Sequence, residues 1–261
     1  MPSCPCPYPV DEDATAGTAT NGQNSEHAGN RKGMIWETEK ANMPFEVKDC
    51  TLITRMGGVP TAVNLRDLRE GVAVCPVECL FHHFCETAIR PSFDDPEFRN
   101  DFAVWSARYL RDRVLGERLG VINPYSCKSL GHLRDSVLDV LDERLMEVGY
   151  SHYAPAGEDF RFMRAVTVVF NRGVELETPA DWIGHLPELS FSSVYYHFIE
   201  ARRRTPDRLD DFSTWLLGFG SGTEELLQAL QSIDFYYLTL PELKQALIDV
   251  VKRVTVEVGG V

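Results

Sequence analysis

At 261 residues the chain can hold one large domain or two of about 100 to 130 residues each. Apolar residues make up 44% and charged ones 25%, an ordinary balance for a globular chain, while the net charge of −13 repels phosphate backbones and argues against a nucleic-acid partner. No run nears the 18 or so consecutive apolar residues of a membrane span, so no membrane partner is expected either.

Residues 1–43 are rich in Gly, Asn, Thr, Ala, Asp and Glu, a composition that cannot offset its own ordering entropy. They read as a disordered acidic and polar tail, free to dock on a protein partner. The opening MPSCPCPYPVDEDA lacks a basic start followed by an apolar core, so no secretory signal is read. Seven irregularly spaced cysteines point to reduced thiols in a cytoplasm.

Residues 44–150 form a first unit. Phe45–Arg55 is β-rich and ends at Gly57-Gly58; a helix begins near Asn64, and a second carries Phe81-His82-His83-Phe84-Cys85-Glu86. Asn100-Asp101-Phe102-Ala103-Val104-Trp105 follows, then Leu119–Tyr125, then an amphipathic helix with Leu133, Val137, Leu138 and Leu141. Residues 151–159 read as a linker, and residues 160–261 repeat the order. Phe160–Phe170 is β-rich with a turn at Gly173, and Thr178-Pro179 opens a helix. Tyr195-Tyr196-His197-Phe198-Ile199-Glu200 answers the first histidine motif, and Asp210-Asp211-Phe212-Ser213-Thr214-Trp215 answers the first Asp-Phe-x-x-Trp. Leu243, Ala246, Leu247 and Val250 mark the closing helix. The expected fold is α+β and helix-dominated: two divergent tandem repeats, each a strand or hairpin and about four or five helices, packed with pseudo-two-fold symmetry.

This run of β segment, helix, aromatic-His-Phe, Asp-Phe-x-x-Trp and late Leu-rich helix resembles the uncharacterised prokaryotic family known as domain of unknown function 5752. The resemblance covers nearly everything from Phe45 onward. It implies a soluble prokaryotic protein and supplies no activity, cofactor or catalytic residue.

The polar residues kept in both units are His83 and His197, Glu86 and Glu200, Arg90 and Arg204, Asp101 and Asp211. On a helix His, Glu at i+3 and Arg at i+7 share a stripe, and an Asp opening the next helix can reach the imidazole. Such a set could hold a metal, transfer protons or bind an anion. It could equally be structural, with each histidine held by its Asp and Glu–Arg pairs on the surface; that is the reading favoured here. Asp101 and Asp210 or Asp211 also suit helix caps. A thiol set exists in the first unit alone, where Cys75, Cys79, His82 or His83, and Glu86 fall at helical spacing behind Pro76 and could clip a metal. The second unit has Leu189, Ser193, Tyr196 and Glu200 there. Gly218-Phe219-Gly220-Ser221-Gly222 looks like a phosphate loop but follows a helix, so Thr223 reads as a helix cap. The sequence therefore points to a non-enzymatic protein-binding or regulatory protein without a cofactor. The alternative is a metal-dependent hydrolase or lyase with its site where the two units meet.

Overall fold

The computed structural model describes residues 43–89, 98–149, 152–205, 207–220 and 223–259. The tail reading falls on residues 1–42 and the Arg90 reading on residue 90, both outside the described residues. The two β-rich stretches are single long strands, β1 (Phe45–Met56) and β2 (Met163–Leu176). They pair with each other, antiparallel, from Phe45 opposite Leu176 to Met56 opposite Met163, with a register shift between Val47 and Lys48. A two-stranded ribbon is marginal alone and needs packing on at least one face.

After β1 come α1 (Leu65–Val74), α2 (Val77–Phe84), α3 (Asp101–Arg108), α4 (Arg113–Gly120) and α5 (Leu130–Glu147). After β2 come α6 (Pro179–His185), α7 (Phe191–Val194), a π-helical turn over Tyr195–Glu200, α8 (Ala201–Arg204), α9 (Asp211–Leu216), α10 (Glu224–Gln231) and α11 (Leu240–Gly259). The protein is thus α+β and dominated by helix. The helix starts follow local chemistry. Asn64 and Asn100 accept from backbone N–H groups three residues on, and Thr178 forms a reciprocal capping box with Asp181. Thr223 does stand at the start of α10, but its hydroxyl donates to the Leu216 carbonyl at 3.0 Å instead of capping.

The core crosses the sequence order. Phe45, Val47 and Cys50 of β1 are buried with Trp182, Tyr195, Phe198, Phe212 and Leu247, all from helices that follow β2. Phe160 and Phe162, just before β2, are buried with Leu68, Phe84, Phe102 and Leu119, from helices that follow β1. The aromatic lead-in to each strand therefore seals the helices that follow the other, while Leu176 at the far end of β2 is buried with Phe45. Burial of each aromatic contributes about 1.5–3 kcal/mol, so the exchange is a large part of what joins the halves. Gly71 of α1 is small for this reason: a methyl there would meet the Phe162 ring at 2.2 Å.

Candidate functional site

His83 comes from the last turn of α2. Its Nε2 accepts the backbone N–H of Met163, at 2.9 Å, and its Nδ1 lies 2.6 Å from Asp101 Oδ2. His197 comes from the π-helical turn. Its Nε2 accepts the backbone N–H of Lys48, also at 2.9 Å, and its Nδ1 lies 2.8 Å from Asp211 Oδ2. A nitrogen that accepts from a backbone N–H carries no proton, so Nδ1 is the protonated one and donates to the carboxylate. Both imidazoles are neutral, buried and occupied at both nitrogens.

The aspartates are placed by their helices. Asn100 and Asp210 are the caps, accepting from Ala103 N–H and Ser213 N–H, which leaves Asp101 and Asp211 in the first turns of α3 and α9. There the helix dipole favours a negative charge. Burial pushes the Asp211 carboxyl up, but the His197 ring N–H and the Arg204 guanidinium together hold it below the usual carboxylate range.

An aromatic cage closes around each ring. Phe45 lies 4.8 Å from His197, 5.4 Å from Phe212 and 5.6 Å from Trp215, centroid to centroid. Phe160 lies 4.8 Å from His83, 4.8 Å from Phe102 and 5.6 Å from Trp105. The Trp215 indole N–H donates to the Met43 carbonyl at 3.1 Å, and that of Trp105 to the Glu158 carbonyl at 2.7 Å. In both cages the indole thus ties down the residue two before the caging Phe.

The glutamates do not lie on the surface. Glu86 is 3% and Glu200 1% exposed. Glu86 Oε2 sits 2.5 Å from His82 Nδ1, whereas Glu200 accepts from Arg203, at 2.5 Å, and from Arg204. Arg204 also donates to Asp211 at 2.9 Å, linking this pair to the His197 cage. The second unit keeps the expected Glu–Arg pairing, Glu200 with Arg204, although its motif is wound as a π-turn; in the first unit α2 ends at Phe84, so Glu86 opens a 3-10 turn rather than continuing the helical stripe of His83.

The thiol stripe is not built either. Cys75 ends α1, before Pro76, and so lies off α2. Burial pushes the Cys75 and Cys85 thiols up to about 12 and raises that of Cys79, so these are protonated core residues rather than thiolates. Among the described residues no three His, Cys, Asp or Glu side chains come together as a metal would require. A cleft of about 600 Å³, lined in part by Leu65, Arg111, Arg113, Arg144 and His152, contains none of the motif residues.

Sequence reasoning found the histidines and their aspartates but missed the strand N–H groups of Lys48 and Met163, and Ser193, whose hydroxyl donates to the Lys48 carbonyl at 2.5 Å. A signal was present: each strand contact lies three residues after a phenylalanine, Phe45 or Phe160, that heads its β segment.

A family model described as a family of unknown function, DUF5752, matches residues 42–252. No curated protein matches the chain. Among solved structures it is similar to OrfY from Thermoproteus tenax, with a TM-score of 0.70 and 28% identity, over 82% of this chain and 97% of that one.

Proposed function

The chain belongs to the DUF5752 family, whose function is unknown, and from that premise we propose a non-enzymatic protein-binding or accessory protein that works through its contact surfaces. One observation carries this reading. The repeated His and Asp residues, the best candidates for chemistry, are consumed in fastening each strand to the helices that follow the other. An imidazole with both nitrogens occupied by its own architecture has no lone pair or proton left for a substrate or metal. The two rings stand in separate cages, which removes support from a hydrolase or lyase site shared between the units.

The outside of the ribbon supports the same reading. Ile53, Val166, Val168 and Phe170 are 59%, 49%, 39% and 47% exposed and form one contiguous strip across paired strands. Exposed apolar strips of this kind mark contact surfaces. The test has two parts. Protein purified without a histidine tag should carry no stoichiometric zinc, iron or manganese by elemental analysis; stoichiometric metal would overturn the reading. A partner that co-purifies with the wild-type chain should be lost from the Val168→Lys variant while the melting transition stays in place. Retention of every partner by that variant would count against the ribbon as the contact surface.

A further inference from the structure

The strip has two unlike ends. Strand alternation puts Asp49, Thr51, Ile53 and Arg55 of β1 on one face with Arg164, Val166, Val168 and Phe170 of β2. At the Phe170 end charge is already matched: Asp49 pairs with Arg172 at 3.2 Å and accepts from Ser192 at 3.0 Å. At the other end Arg55 stands directly opposite Arg164, a like-charge cross-strand pair that weakens a sheet. Neither makes a hydrogen bond or an ion pair among the described residues, and the Nε–H of Arg164 is buried without an acceptor. In a chain of net charge −13, two unmatched guanidiniums side by side form a place for a carboxylate. Guanidinium and carboxylate are complementary fork to fork.

Building on the protein-binding reading, we propose that this face docks an extended segment of a partner protein. The segment has apolar side chains at alternate positions and an acidic group at the end that meets Arg55 and Arg164. The distance from Phe170 to Arg164 is about 20 Å at strand rise, room for about six extended residues. The strip is made of solvent-exposed positions on paired strands, which suits an extended peptide strand.

Charge argues against the nearest rival, a second copy. Pairing β2 with β2 about Val168 would set Arg164 opposite Arg172, like charge on like.

The experiment is fluorescence anisotropy of the full chain with a labelled ten-residue peptide of alternating Val and Thr ending in Asp-Glu. The control peptide ends in Lys-Lys. The acidic peptide should bind at least about tenfold more tightly than the basic one, and Arg55→Gln with Arg164→Gln should erase that preference, as expected for loss of a charged hydrogen-bonding pair. Val168→Lys, checked by an unchanged melting curve, should abolish binding of both. Equal affinity for the two peptides, or binding that survives Val168→Lys, overturns the proposal. So does self-association of the wild type that Val168→Lys abolishes, which would assign the strip to a second copy. Tighter peptide binding by Trp36→Ser would assign it to the chain's own preceding residues, with the same consequence. Loss of a co-purifying partner from Val168→Lys without any acid preference of the peptide would sink this inference and leave the protein-binding reading standing.

Discussion

Around His197 the Asp211 carboxylate is shared with Arg204, and the buried Glu200 behind it takes Arg203 and Arg204. Around His83 the equally buried Glu86 turns to a second imidazole, His82. Yet the inner ring of contacts is nearly the same in both places: one backbone N–H from the exchanged strand, one Asp, one caging Phe, one Trp tied to a carbonyl. Among the described residues the difference lies one layer out, where Glu200 takes two guanidiniums and Glu86 takes an imidazole. What both cages retain is the fastening of a strand; what differs is how the buried glutamate is neutralised. A buried carboxylate must find some partner, and the two halves found different ones.

The comparison would break most visibly at the caging phenylalanines. Phe45→Ala and Phe160→Ala should each cost about 3–5 kcal/mol, as for buried aromatics generally, and by similar amounts, read from urea unfolding of each variant. A loss at one of them below about 1 kcal/mol would show that only one cage holds its strand. Next come the histidines. His83→Ala and His197→Ala each leave a strand N–H without its acceptor and take the imidazole from its carboxylate, and should cost about 1–3 kcal/mol. The two contacts lie at opposite ends of the ribbon, about 25 Å apart by strand rise, so the double variant should be additive to within about 0.5 kcal/mol. Strong non-additivity would mean that the cages form one unit.

A glycine pair sharpens the contrast. Gly71→Ala drives a methyl into Phe162 and should cost about 1–3 kcal/mol. Gly184 of α6 has open space where its methyl would go, so Gly184→Ala should stabilise by about 0.5 kcal/mol through helix propensity. A thermal melt of both variants checks the opposite signs. The smallest expected effect is acidic. Because the folded Asp211 carboxyl lies below its ordinary value near 3.8, its contribution is fully present above that value and is lost as pH falls through the lower, folded one. Asp211→Asn should flatten this part of the stability profile below about pH 4. An unchanged acid limb would show that Arg204 and His197 do not hold the carboxylate as drawn.

Local chemistry made much of this legible in the sequence. The β-rich stretches, the caps at Asn64 and Thr178, the pairing of His83 with Asp101 and of His197 with Asp211, and the family all follow from residue type and short spacing. Helix caps, strand propensity and a His–Asp pair on neighbouring helices depend on groups fewer than about 20 residues apart. The tertiary structure decided what lay far apart in the chain. It exchanged the strands, so that Lys48 meets His197 and Met163 meets His83. It buried Glu86 and Glu200, which a helical stripe had placed in solvent, because the helix ends at Phe84 in one half and widens to a π-turn in the other. It also left Arg55 opposite Arg164 without a counter-charge, since register alone sets which side chains of two strands face each other.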